Sequence, residues 1–223
     1  MGGLNSLTAM GPEWASVAAA PFHLYKFTAG EGGLRVPLVI AGPGITAGSI
    51  HKARAHVSDL TPTLLDAVGV EFDANRFYGR SLMKVLKGQA EEAYGPEDAT
   101  GFEVSGNAAL YRANWKLVRV SLPHGDSQWR LFDIIKDPGE TTDLAAKEPA
   151  LFEELLNEYQ IYSNNVGVVE LSADASSTKQ LGKNLMKKVL NKYWPYILLM
   201  VLAISGFLYV VVRALTRRKT ALV

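Results

Sequence analysis

The chain has 223 residues, with 23 Lys and Arg against 22 Asp and Glu and a formal net charge of +1. That balance leaves no excess positive charge for a nucleic-acid partner, and an apolar content of 48% excludes a mostly disordered chain. Cysteine is absent, which rules out disulfides, thiolate metal sites and a cysteine nucleophile within these residues.

In chain order, residues 1–10 (MGGLNSLTAM) lack the continuous apolar core of a signal peptide. Residues 1–20 are rich in Gly, Ala and Ser, so the chain is expected to enter in the middle of a larger architecture. Residues 11–33 read as a loop interrupted by Gly and Pro, with a short helix over 16–20. On this reading the first 33 residues pack loosely, Trp14 included. Leu34 to Ala41 (LRVPLVIA) predicts a strand covered on both faces, with Pro37 at an edge or at its start. Thr61-Pro62 opens a helix over 62–68, with Thr61 as cap, Pro62 in the first turn and Gly69 at a left-handed C-terminus. A short helix follows over 81–86, and 87–106 reads as a polar surface excursion. From Ala108 to Ser121 the pattern predicts two strands around a turn at Ala113-Asn114, and 128–132 a third. After Pro149, Leu151, Phe152, Leu155, Leu156 and Tyr159 recur at three and four, which predicts a helix over 150–160.

Residues 163–192 combine a linker with a basic amphipathic stretch. In the latter, Lys183, Lys187, Lys188 and Lys192 interleave with Leu185, Met186, Val189 and Leu190. Next, Tyr193 to Val212 runs for 20 residues without a charge. As a helix it is roughly 30 Å long, about one bilayer core. Trp194, Tyr196 and Tyr209 occupy its ends as interface-seeking aromatics do, and Pro195 falls in its first turn. Residues 213–223 form a basic tail. The lipid bilayer is therefore an expected partner, nucleic acid is not, and a single-pass membrane location is expected.

Several short strings then fall in a common order. Lys26-Phe27-Thr28-Ala29-Gly30-Glu31-Gly32-Gly33-Leu34-Arg35-Val36-Pro37 resembles the K-x-x-x-x-E-G-G-x-R-x-P stretch of arylsulfatases. Asp59 to Leu65 is similar to that family's D-x-x-P-T-L-L helix, and Gly79 to Leu82 to its G-R-S-L element. Trp115-Lys116-Leu117 is similar to its W-K-L strand. Leu131-Phe132-Asp133, Asp137-Pro138-Gly139-Glu140 and Asp143-Leu144 resemble its ending.

The resemblance implies an α/β class. Residues 1–99 would be the C-terminal part of an alkaline-phosphatase-like α/β/α sandwich. Residues 100–162 would be a small antiparallel sheet with one packed helix, ahead of the transmembrane helix 193–212. It also implies hydrolysis of sulfate monoesters by a formylglycine nucleophile, with a divalent calcium or magnesium ion. The family's C/S-x-P-x-R motif is missing, since Ser121-Leu122-Pro123-His124-Gly125 has Gly where Arg is required. The family's Asp-Asn metal pair is missing too. We therefore expect a C-terminal segment that is inactive by itself, has no metal ligands or catalytic residue of its own, and meets a sulfate ester only together with an N-terminal part. Phosphonate monoester or phosphodiester hydrolysis on the same fold is the alternative, and a non-catalytic membrane-tethered module is another.

By the resemblance, Lys26 is the cation that contacts sulfate. Glu31, Gly32, Gly33 and Arg35 are its structural support. Here the glycines would allow a tight entry into the strand or a positive φ, and Glu31 could pair with Arg35. His23 stands where the resembled family commonly has Arg, so the resemblance gives it no catalytic role; His51 and His56 lack the carboxylate company of a metal site and are taken as surface residues, and His124-Gly125-Asp126 as a loop tip. Glu91, Glu92, Glu97 and Asp98 read as a solvated loop, and Gly42-x-Gly44 does not continue into a dinucleotide motif. The membrane orientation is nearly tied by charge count. The short tail with Arg213, Arg217, Arg218 and Lys219 tips the expectation towards a main domain on the extracytoplasmic side.

Overall fold

The computed structural model describes residues 10–171 and 177–220, which fall into two compact units divided between Ala175 and Ser176. The first unit is built on a four-stranded antiparallel meander, β1 (Thr100–Val104), β2 (Asn107–Arg112), β3 (Trp115–Arg119) and β4 (Trp129–Asp133), in that spatial order. The register pairs Leu110 with Leu117 and Leu117 with Leu131, so these side chains share one face. That face, with Ala108, packs on Leu155 and Tyr159 of α5 (Pro149–Val166). The other face carries Ala109, Tyr111, Val118, Val120 and Phe132 and is covered by Ala29 and its neighbours Leu24 and Leu34. Both faces of β2 are thus buried, which is why it lacks the apolar–polar alternation of a half-exposed strand.

α5 begins with Pro149 in its first turn and ends at Gly167, whose φ of 70° is the left-handed cap. Arg112 fixes the helix to the sheet by reaching Glu154 and Glu158, each at 2.6 Å. β1 overturns the reading of 87–106 as surface excursion over Thr100–Val104, whereas residues 87–98 are mostly exposed. In β1, Gly101 and Glu103 hide the strand signal, and Gly101 is needed because a Cβ there would lie 2.2 Å from the Tyr162 ring.

The expected strand 34–41 is a correction. Glu31–Leu34 form one helical turn, α2, and residues 35–41 run on as irregular, exposed backbone, with Val36 and Val39 at 72% and 90% exposure. The composition suits a strand, but no strand lies alongside among the described residues, so the backbone has no ladder to join. The first described residues divide. α1 (Pro12–Ala19) buries no side chain and Trp14 is exposed, whereas Thr28, Ala29 and Glu31 are buried. Residues 1–9 lie outside the described residues.

α3 (Leu60–Ala67) and α4 (Met83–Leu86) answer to the expected helices, but Thr61 is not the cap. A 3-10 turn over Val57–Asp59 precedes α3, and the Asp59 carboxylate accepts the His56 N–H at 2.6 Å. Asp59 is fully buried. Its second oxygen accepts the Arg80 N–H at 2.8 Å and the Tyr94 hydroxyl. Thr63 Oγ1 donates to the Asp59 carbonyl and accepts from Leu82 N–H at 2.9 Å. The D-x-x-P-T and G-R-S-L strings are therefore two halves of one hydrogen-bonded joint. Gly79 lets them close, since a Cβ there would meet Ser58 backbone at 2.3 Å. Asp98, expected in a solvated loop, forks onto Arg80, and this lowers its carboxyl pKa.

His56 is not a surface residue. Its ring meets Phe102 edge-on at 4.5 Å, and its Nδ1 accepts from Ser58 N–H. Burial lowers its pKa, against the weaker pull of the Asp59 carboxylate. The folded chain thus binds this proton less readily than the unfolded chain. As pH falls through the unfolded value of about 6.5, stability is expected to decline until the folded imidazole also titrates. Above that value His56 contributes no slope. Urea midpoints between pH 5 and 7 check this, and His56→Gln should flatten the slope; an equal slope in both proteins would contradict the assignment.

In the second unit, α6 (Ser177–Thr220) is one helix of 44 residues, about 66 Å long. It merges the expected amphipathic stretch and apolar span into a single rod. Pro195 is consequently inside a helix, not in its first turn, and leaves one carbonyl of the preceding turn without its donor. Lys179–Val210 contains a segment long and apolar enough to cross a membrane.

Candidate functional site

Lys26 stands in a turn whose base is fixed from several sides. Thr28 closes the turn by donating to the Tyr25 carbonyl from both its N–H (3.3 Å) and Oγ1 (2.6 Å). Leu24 and Phe27 flank Lys26 with left-handed φ values of 62° and 72°, unusual for residues with a Cβ. Asn107 of β2 donates to the Phe27 carbonyl at 3.0 Å, and Gly32 N–H donates to His23 O at 2.8 Å. Lys26 itself is exposed, with Nζ 5.6 Å from the Phe27 ring centroid. The arrangement presents an outward cation on a clamped base.

The clamp is a buried ionic cluster. Lys116 is 0% exposed, and its Nζ lies 2.9 Å from both Glu31 Oε1 and Glu140 Oε1. Tyr111 donates its hydroxyl to Glu31, and the other Glu140 oxygen accepts the Glu31 N–H at 2.7 Å. Burial first, and the Glu31 carboxylate second, push the Tyr111 phenol well above its usual range, so it remains a neutral donor. Arg35 Nη1 approaches Glu31 Oε2 only to 3.8 Å and its guanidinium lies over Phe22 at 4.9 Å. The Glu31–Arg35 pair is therefore the outer fringe of the cluster, and Lys116 is Glu31's main partner.

Of the two expected roles, the glycines serve close approach and not positive φ, and they lead into a helical turn instead of a strand. Neither has a left-handed φ. A Cβ on Gly32 would lie 2.2 Å from Leu24 O, and one on Gly33 would lie 2.3 Å from Thr28 O. They let α2 fold directly onto the turn that carries Lys26.

In sequence Lys116 and Glu140 are only motif letters, and nothing there pairs either with Glu31. One signal was available. Lys116 shares its face of β3 with Val118 and Val120, and a lysine of that parity must find carboxylates when the face is covered. The partners lie 85 residues upstream and 24 residues downstream of it, beyond any local pattern. The acids of the ending string also act as turn pins. Asp133 accepts from Ile135 and Lys136 N–H, Asp137 from Thr141 and Thr142 N–H, and Asp143 from Leu131 and Ala145 N–H.

Beside the turn opens a cleft of about 390 Å³ whose lining includes His23, Val120, His124, Arg130, Phe132 and Glu140. His124 is an exposed loop residue between β3 and β4, edge-on to Tyr25 at 5.6 Å. His23 Nδ1 is 3.8 Å from Glu140 Oε2, and Arg130 forks onto Asp126 at 2.9 and 2.6 Å. Among the described residues no three His, Asp or Glu converge as metal ligands. The buried carboxylates Glu31 and Glu140 already hold the Lys116 ammonium between them, so these residues do not fit a divalent ion.

Comparison with known proteins gives a consistent result. The family described as N-sulphoglucosamine sulphohydrolase, C-terminal, matches residues 25–160. An uncharacterized sulfatase of Schizosaccharomyces pombe is 30% identical over 183 residues, covering 78% of this chain and 33% of its own length. Arylsulfatase K of Xenopus laevis is 28% identical over 190 residues, covering 77% and 35%. The solved structure of Ps i-CgsB in complex with k-i-k-neocarrahexaose has the same fold at a TM-score of 0.56 and 22% identity, over 74% of this chain and 36% of that one. The chain spans about a third of the length of the curated relatives it matches.

Proposed function

The chain belongs to the N-sulphoglucosamine sulphohydrolase C-terminal family of sulfatases, and from that premise we propose that it is the C-terminal segment of an arylsulfatase-like sulfuric ester hydrolase in which Lys26 meets the sulfate group. The parent reaction would convert a sulfate monoester and water to an alcohol or phenol and sulfate. The observation that carries the reading is the clamped turn. Glu31, Lys116 and Glu140 fix its base by buried contacts while Lys26 stays free of the cluster and outward. A fixed cation needs no reorganisation as negative charge grows on sulfate and leaving-group oxygens, which is where such a charge contributes most. Glu31, Gly32, Gly33 and Arg35 act here as scaffold.

These 223 residues contain neither a cysteine nor the C/S-x-P-x-R string, so the proposal includes that they do not turn over sulfate esters by themselves. The expected result is no release of 4-nitrophenol from 4-nitrophenyl sulfate by the purified chain, with or without calcium or magnesium. Metal-dependent release above the no-protein rate would overturn this part of the reading.

We also propose that α6 anchors the first unit to a membrane, with that unit on the extracytoplasmic side. Support comes from the length and apolarity of the helix and from the positive charge of Arg213, Arg217, Arg218 and Lys219 just beyond the apolar span. Protease added to intact spheroplasts should degrade the first unit and spare the C-terminal tail. The reverse pattern would invert the orientation, and release of the chain by carbonate would remove the anchor.

A further inference from the structure

We infer that the lysine-rich N-terminal part of α6 is a binding surface for acidic phospholipid headgroups, in the leaflet on that side of the apolar span. The inference rests on the reading of α6 as a membrane anchor. It starts from the continuity of the helix. Because Ser177–Thr220 is one rod, each lysine is placed by its distance along the axis from Tyr193. At about 1.5 Å per residue, Lys192, Lys188 and Lys187 fall within roughly 9 Å of it, and Lys183 at about 15 Å. The headgroup layer is about 5–8 Å thick on each side of the hydrocarbon. On this placement Lys192 and Lys188 fall within the headgroup layer, Lys187 at its outer edge, and Lys183 is left to approach it along its flexible stem.

The charge on the helix is unopposed from within. From Ser177 to Thr220 there is no Asp or Glu. No carboxylate of this helix reduces the field of these lysines, which a negatively charged surface therefore meets in full. At about 100° per residue, Lys183, Lys187, Lys188 and Lys192 spread over one half of the circumference. Leu185, Met186, Val189 and Leu190 occupy the other half, at 61%, 61%, 42% and 49% exposure. Lys192 marks the boundary, with its Nζ 5.2 Å from the ring centroid of Tyr193, the first residue of the aromatic interface belt.

Acidic lipid is the occupant that charge selects. A zwitterionic headgroup offers a phosphate but also a competing cation, whereas an acidic headgroup such as phosphatidylglycerol brings net negative charge. The test uses the whole chain reconstituted in phosphatidylcholine vesicles with 20 mol% phosphatidylglycerol. Spin-labelled phosphatidylglycerol and phosphatidylcholine report the lipid held at the protein surface. The expected preference for the acidic lipid is about fivefold or more, weakened by 0.5 M salt. Replacing Lys183, Lys187, Lys188 and Lys192 together by Gln should remove most of it, leaving the share contributed by the basic tail after Val212. Equal retention of the two lipids would overturn the inference, and so would a preference untouched by the four substitutions. Carbonate extraction of the same vesicles separates the two readings. A chain that stays in the membrane without lipid preference defeats this inference alone, and a chain that is released defeats the anchor as well.

Discussion

Replacing Lys116 with Met is expected to destabilise the first unit by about 3–5 kcal/mol, the usual cost of removing one partner from a buried ionic group. Met fills a similar volume, so lost packing contributes little. What remains is two buried carboxylates, Glu31 and Glu140, each deprived of the ammonium 2.9 Å away. The measurement is the urea midpoint of the full chain in detergent, followed by fluorescence of its tryptophans. Adding Glu31→Gln and Glu140→Gln to Lys116→Met should recover part of the loss, because neutral amides cost less to bury than charges. As a control, Arg130→Gln opens the surface fork with Asp126 and should shift stability by at most about 1 kcal/mol. An unchanged midpoint in Lys116→Met would mean that the cluster is wetter and weaker than its burial indicates.

The second large effect concerns Lys26. In a polypeptide that contains this chain together with a sulfatase nucleophile, Lys26→Ala should lower kcat by about 100- to 1000-fold, as loss of one well-placed charge-stabilising group does. The urea midpoint should hardly move, since Lys26 is exposed and takes no part in the Glu31–Lys116–Glu140 cluster. The two variants therefore divide cleanly: Lys116 governs the base of the turn, and Lys26 governs what the turn presents. A Lys26→Ala protein with unchanged kcat and KM would reduce Lys26 to a surface lysine.

Much of the architecture was legible because its signals are local. The turn at Ala113-Asn114 with its two flanking strands, the stripe from Leu151 to Tyr159 and Pro149 at the start of α5 all depend on neighbours within a few residues. What misled was composition without context. LRVPLVIA has a strand's residues, yet a strand is a partnership, and none is available among the described residues. β1 was missed for the opposite reason, since Gly101 satisfies the Tyr162 ring and not a β propensity. The site divided in the same way. Lys26, Glu31, Gly32, Gly33 and Arg35 are contiguous, and one string marks them. Lys116 and Glu140 join them only through the sheet, and a motif letter does not say which residue a charge faces.

Within the meander, β2 is a partition wall with no weather side. Ala108 and Ala109 are neighbours in β2, both fully enclosed, and they look into opposite compartments: one shared with α5, the other with the Lys26 turn. A thicker side chain at either position cannot be relieved by swinging into solvent. It must push the wall, and the displacement is felt by residues on the far side that never touch the altered atom. The cost of change on the helix side is thus partly borne by the loop side.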